Sequence, residues 1–154
     1  MFQIREATPD EAEAMLALFP RLADFEIPAQ RTAEHLWQGD AALLQAWSRG
    51  EAPQCLVWVA VDDDNAILGV ALVSLREELL SHEPSAHLEV IVVDERADGQ
   101  GIGRALVNKA EQVVREQGAL TMTLHVFANN TRARQVYERL EYSGELIRYI
   151  KYLK

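Results

Sequence analysis

Three places in this 154-residue chain combine residue types that can do chemistry. The first is the stretch 87–104, His-Leu-Glu-Val-Ile-Val-Val-Asp-Glu-Arg-Ala-Asp-Gly-Gln-Gly-Ile-Gly-Arg. An apolar run with strand character feeds a loop made of Asp98, Gly99, Gln100, Gly101, Ile102, Gly103 and Arg104, and an amphipathic helix follows at once. Glycine lets the backbone come close to a ligand, and the first turn of a helix leaves N–H groups unpaired at the positive end of its dipole. Such a junction is an anion site, and a phosphate or pyrophosphate is the expected guest. The second place is Glu89, inside the apolar run, where a carboxylate is costly unless it is partnered or used. A base that takes a proton from an ammonium substrate is one such use. The third is the helical stretch that carries Asn130, Ala133 and Tyr137.

Spacing separates the possible glycine loops. A dinucleotide-binding G-x-G-x-x-G fails, because counting from Gly99 or Gly101 puts Arg104 or Leu106 at the last glycine. A P-loop fails too, since no glycine is followed by Lys and then Ser or Thr. What remains, G-x-G at a strand-to-helix junction, resembles the R/Q-x-x-G-x-G/A loop with which the Gcn5-related N-acetyltransferase (GNAT) family grips the pyrophosphate of coenzyme A. A second element supports the resemblance: Asn130-x-x-Ala133-x-x-x-Tyr137, then Glu141-Tyr142, is similar to the family's N-x-x-A-x-x-x-Y-[E]-x-x-G-F. About 34 residues separate Tyr137 from the loop, room for one helix and one strand.

The resemblance covers most of the chain in element order and departs from the family in two ways. With Gly101 and Gly103 as the motif glycines, Asp98 stands where Arg or Gln is usual; with Gly99 and Gly101, Arg96 fills that place but the helix starts late. The first alignment is preferred, because Ile102 and Leu106 then fall on the apolar stripe of the helix. Asp98 brings negative charge to an anion site, so binding would rest on backbone N–H groups and Arg104, or on Arg96 swinging in. The family's Gly-Phe is also replaced, by Glu141-Tyr142.

The resemblance implies an α/β (α+β) fold: a mixed, mainly antiparallel sheet of six to seven strands, about four flanking helices, and a splayed central strand at the cofactor groove. It implies direct transfer of an acetyl group from acetyl-CoA to a primary amine. Glu89 would act as base and Tyr137 as acid to the departing thiolate, while N–H groups near Val92 and Val93 would polarise the carbonyl. Ile91, Val92, Val93, the 98–104 loop, Asn130 and Ala133 would contact the cofactor, and no metal is needed. The segment between the first helices would wall the acceptor site, which makes Phe25, Glu26, Glu34, His35 and Trp37 candidates for substrate contacts. The acceptor expected is a small cation, polyamine- or aminoglycoside-like. A peptide amine, or an acyl-CoA sensor without turnover, is the alternative.

Composition sets the frame. At 154 residues, 49% hydrophobic and 25% charged, one domain over residues 1–154 with a sizeable core is expected. Neither a charged-then-apolar leader nor an apolar run of about 18 residues is present, so no membrane span is expected and the cytoplasm is the default location. Cys55, the single cysteine, excludes an internal disulfide and reads as a structural thiol. A net charge of −9 argues against a nucleic-acid partner and favours a cationic substrate, or serves solubility.

The elements that must position these residues follow from periodicity. Alternation at 2–6 predicts a first strand; Thr8, Pro9 and Glu11 form a helix start with a capping box, and the helix runs to about residue 23. A second helical stretch covers about 32–48, interrupted near Gly39, with Asp40 capping its second half. The runs 55–61 and 67–75 form a hairpin across Asp62-Asp63-Asp64-Asn65, a solvated turn. On the central strand, 87–93, Glu89, Ile91 and Val93 should face one way and Leu88, Val90 and Val92 the other. A helix to Gly118, a strand at 120–126, a helix around 131–140 and a terminal strand or hairpin at 142–153 complete the chain. Edge strands and this last segment are compatible with a homodimer.

Overall fold

The computed structural model describes residues 1–153. Five strands form one sheet in sequential order: β1 (Gln3–Glu6), β2 (Cys55–Val61), β3 (Ile67–Glu77), β4 (Pro84–Val93) and β5 (Thr121–Leu124). Neighbours are antiparallel except β4 and β5, which are parallel and joined by the long helix α3 (Ile102–Glu116). The order and mixed character match the expected fold, but the strand count falls short of six to seven. Residues 143–153 carry no strand and make no backbone hydrogen bond among the described residues.

Each face of the sheet is covered by a different layer. α3 lays Ile102, Leu106, Val107, Ala110 and Val114 on Trp58, Leu68, Val73, Ala86 and Leu88. Burial of those helix side chains contributes roughly 8 kcal/mol, enough to order a helix that would be marginal alone. Gly69 permits the close approach, since a Cβ there would stand 2.9 Å from Ile102 Cγ2. On the other face Met15, Phe19 and Leu44 cover Val57, Val59, Val70, Leu72, Val90 and Val92. The short helices α1 (Ala12–Leu16) and α2 (Gln38–Ser48) supply Met15 and Leu44. The fourth helix, α4 (Thr131–Arg139), follows β5.

The N-terminal half departs from the expected helices for local reasons. Glu11 closes the helix start by accepting the Thr8 N–H at 2.9 Å, and its ion pair with Arg5 holds its carboxyl down to about 2. The helix does not run to residue 23, however. Pro20 offers no N–H for the next turn, so α1 ends at Leu16 and a separate 3-10 turn, Phe19–Ala23, takes over. The second helix begins at Gln38, which puts Asp40 inside its first turn and not at a cap. At the β2–β3 turn Asp62 Oδ1 accepts the N–H groups of Asp64 and Ala66, as a solvated turn requires.

The central strand corrects the expected alternation. Leu72 pairs with Val90 but Val73 pairs with Leu88, so Glu89 is the extra residue of a β-bulge. Leu88 therefore packs on the α3 side with Ile91 and Val93, while Val90 and Val92 lie on the other face. Glu89 joins that second face, where Ser74, Arg76 and His87 meet it.

Candidate active site

β4 has β3 beside it along its length, but its pairing with β5 stops at Leu88 and Leu124. Beyond that point the parallel strands separate, and residues 89–93 have an open edge. The Asp94 N–H donates to Leu68 O at 2.7 Å, which turns the Val92 amide toward β3 as well. Alternation then points the N–H groups of Ile91 and Val93 into the split, so the amides on offer belong to those two residues and not to Val92.

A groove of about 270 Å³ occupies the split. It is lined by Ile91, Val92 and Val93 from β4, Gly103 and Val107 from α3, Ala133, Val136 and Tyr137 from α4 with Asn130 at its cap, and Arg21 from the Phe19–Ala23 turn. Six residues singled out for cofactor contact, with Tyr137, thus share one cleft. Asn130 also caps α4, its Oδ1 accepting the Ala133 N–H at 3.3 Å. Burial pushes the Tyr137 phenol up to about 12, so it holds its proton throughout the neutral range. Its ring meets Tyr142 edge-on at 6.1 Å, and Tyr142 donates to Glu111 at 2.7 Å.

The glycine loop closes one end of this groove. Gly99 and Gly101 have φ of +82° and +80°, a region that only glycine enters freely. The first intrahelical bond of α3 runs from the Ala105 N–H to Gly101 O, leaving the N–H groups of Ile102, Gly103 and Arg104 without helical partners. No acidic side chain lies in that first turn. Ile102 itself is buried in the core, so it offers the loop only its amide. Gln100 and Arg104 are exposed.

Arg21 answers the charge problem posed by Asp98. Its guanidinium lies 3.4 Å from Asp98 and 3.9 Å from Glu95, and its Nε–H is buried with no hydrogen-bond partner among the described residues. Arg96 does not swing in, being engaged with Asp94 at 3.1 Å and with the Ile67 carbonyl. Amides, a half-buried guanidinium with an unused donor and a partly apolar cleft fit a diphosphate carrying a long neutral arm. Arg21 escaped the sequence reading because nothing in its spacing ties it to a loop more than seventy residues away.

On the opposite face of the sheet the bulge gathers a polar chamber. Glu89 is half-buried, accepts from Ser74 Oγ and pairs with Arg76 at 2.5 Å. His87 Nε2 stands 4.0 Å from Glu89, its Nδ1 is 2.7 Å from Thr123 Oγ1, and its ring packs on His125 at 4.6 Å. Burial outweighs the nearby carboxylate and pushes His87 down to about 4. Asp40 reaches the same chamber from α2; burial, reinforced by Glu89, raises its carboxyl to about 7. Burial likewise raises the Cys55 thiol. His87 was legible in principle, since residues two apart on a strand share a face with Glu89. Asp40 was not, because its approach depends on how α2 docks.

The expected acceptor wall is partly assembled. Phe25 stacks on Phe127 at 5.7 Å, and the Glu26 carbonyl accepts from Asn129 at 2.6 Å, so this segment touches the turn between β5 and α4. Trp37 is half-buried against the α1–α2 layer. Glu34 and His35 point to solvent, and the His35 ring caps its own turn by accepting the Thr32 N–H.

Comparison with known proteins agrees with this architecture. The model of the acetyltransferase (GNAT) family matches residues 17–142. Mycothiol acetyltransferase of Beutenbergia cavernae is 34% identical over 84 residues, 54% of this chain and 27% of that protein, so the chain spans about a quarter of that relative. Peptidyl-lysine N-acetyltransferase YjaB of Salmonella typhimurium is 26% identical over 140 residues, 91% of this chain and 82% of the relative. Among solved structures, a putative acetyl transferase from Pyrococcus furiosus superposes with a TM-score of 0.82 at 22% identity, covering 99% of this chain and 100% of the other.

Proposed function

This chain belongs to the acetyltransferase (GNAT) family, and from that premise we propose that it transfers an acetyl group from acetyl-CoA directly to the primary amine of a cationic acceptor. The observation that carries the proposal is the split between β4 and β5. Its cleft, lined by Ile91 to Val93 and by Gly103, begins two residues along β4 from Glu89, whose carboxylate is held by Ser74 and Arg76.

Bound acetyl-CoA would supply its thioester acetyl group in this cleft. The N–H groups of Ile102, Gly103 and Arg104, with Arg21, hold the diphosphate; Ala133, Val136 and Val107 line the path of the arm. Glu89 takes a proton from the acceptor ammonium, freeing the lone pair for attack on the carbonyl carbon. The C–N bond forms as the C–S bond breaks, and the second proton lost from the acylated nitrogen restores the one that Tyr137 gives up. The Ile91 and Val93 N–H groups stabilise charge on the carbonyl oxygen, and Tyr137 gives its proton to the departing sulfur. Asp40, close to Glu89, adds a second acidic group that draws a cation into the chamber.

A protein lysine side chain is the second reading, favoured by the peptidyl-lysine relative, most of whose length is matched. The test is release of free thiol from acetyl-CoA over a panel of polyamines, aminoglycosides and lysine peptides, beside calorimetry with coenzyme A. Amine-dependent release identifies the acceptor class. Binding without release from any amine would leave a sensor, and absence of binding would remove the proposal altogether.

A further inference from the structure

The carboxylate assigned to the proton-taking step is already occupied. Glu89 Oε2 accepts from Ser74 Oγ and is paired with Arg76 Nη2 at 2.5 Å, while Oε1 has His87 Nε2 near it, at 4.0 Å. Burial keeps that imidazole uncharged through the neutral range, so among the described residues the cation on Glu89 is Arg76. Its guanidinium stands where the ammonium of an acceptor must come. Two cations at hydrogen-bond distance from one carboxylate repel each other.

The two anchors of the carboxylate are unequal. Ser74 is buried, flanked by Cys55 on β2 and His87 on β4. Arg76 lies two residues further toward the hairpin end of β3, on the same face, with its side chain 46% exposed against 16% for Glu89. Its guanidinium holds to the protein through Nη2 alone, which reaches Glu89 and, at 3.3 Å, Ser74 Oγ; Nη1 and Nε make no hydrogen bond among the described residues. Such a group can leave for solvent while Ser74 continues to orient the carboxylate. Exchange of one cation for another also keeps Glu89 from standing unpaired in a half-buried chamber, the costliest state of an ion pair. We propose that Arg76 is an internal competitor for the acceptor: its guanidinium occupies the cation subsite on Glu89 until the substrate's amine displaces it, and it thereby sets acceptor affinity. An acceptor then binds with its intrinsic affinity scaled by the fraction of molecules in which Arg76 is away. The proposal rests on Glu89 as the group that meets the amine, and it gives Arg76 no part in the chemical step.

Calorimetry with spermidine in the presence of coenzyme A tests it, beside steady-state kinetics with acetyl-CoA, on the parent, Arg76→Gln and Arg76→Lys. Glutamine keeps a donor for Oε2 but carries no charge. Arg76→Gln should bind spermidine roughly three- to tenfold more tightly than the parent and lower its KM by the same factor, with kcat within about twofold. Arg76→Lys should return both toward the parent. The gain should vanish in the Arg76→Gln/Glu89→Gln double variant, which has the parent's net charge and no carboxylate to compete for. Unchanged or weaker binding by Arg76→Gln, no binding by either protein, or a gain that Arg76→Lys shares in full would overturn the proposal. So would activity lost in Arg76→Gln and restored in Arg76→Lys, the mark of a guanidinium that holds the base in place. The two readings fail separately. Tighter binding without turnover of any amine would remove acetyl transfer and leave the competitor; turnover with a raised KM in Arg76→Gln would do the reverse.

Discussion

The Arg21 guanidinium lies 3.4 Å from the Asp98 carboxylate, bringing a residue from the first helical layer to the loop that opens α3. This pair reconciles an acidic residue with an anion site: the guanidinium cancels the carboxylate and still has a buried Nε–H to donate. Arg21→Ala should weaken coenzyme A binding about tenfold, roughly 1.4 kcal/mol, by isothermal calorimetry. The Arg21→Ala/Asp98→Asn double variant should recover part of that loss. Equal affinities for the single and double variants would show that Asp98 repels nothing.

Glu89 and Tyr137 should act on the chemical step more than on cofactor binding. Glu89→Gln and Tyr137→Phe should each lower kcat by roughly 10²- to 10³-fold while leaving the coenzyme A dissociation constant within about threefold of the parent. Since Tyr137 retains its proton up to about 12, its loss should depress the rate at every accessible pH without moving the alkaline limb. Steady-state assays across pH check both.

The polar chamber gives stability two opposed pH dependences. His87 is pushed from 6.5 to about 4 in the folded protein, so the unfolded chain binds the extra proton. Its stabilisation is present above about 6.5 and is lost as pH falls toward 4, by up to about 3 kcal/mol. Asp40 runs the other way: its raised carboxyl binds a proton more readily when folded, so stability is lost as pH rises through about 7. Asp40→Asn should stabilise the fold near pH 8 by roughly 1–2 kcal/mol after allowance for its partial exposure, seen as a raised Tm, and by less near pH 5. His87→Gln should flatten the acid limb. Thermal melts over this range decide both.

Gly69 is a packing position that reaches the site through α3. A Cβ there would meet Ile102 Cγ2 at 2.9 Å, Leu106 Cδ1 at 3.1 Å and the Val92 carbonyl at 3.2 Å. Gly69→Ala should cost about 1–3 kcal/mol in denaturant unfolding. It should also weaken coenzyme A binding, because the helix that must move carries the loop amides. A destabilised protein with unchanged affinity would mean the strain is absorbed on the β3 side alone.

What the sequence determined by itself is local. Glycine at 99, 101 and 103 marked the loop between β4 and α3, the spacing of Ile102 and Leu106 set the start and buried face of α3, and Asp62 to Asn65 dictated the β2–β3 turn. Each depends on sterics and hydrogen bonds within a few residues, and each appears as read. Pro20 was equally local, and the missing N–H that ends α1 was there to be seen. Tertiary structure decided the rest. The bulge that turns Glu89 toward Ser74 and Arg76 exists only because β3 and β4 pair in two registers, and the Arg21–Asp98 pair exists only because a turn near the N-terminus docks beside the split. Register and docking are settled by the whole core burying itself at once, a sum over contacts distant in sequence that no window of neighbouring residues contains.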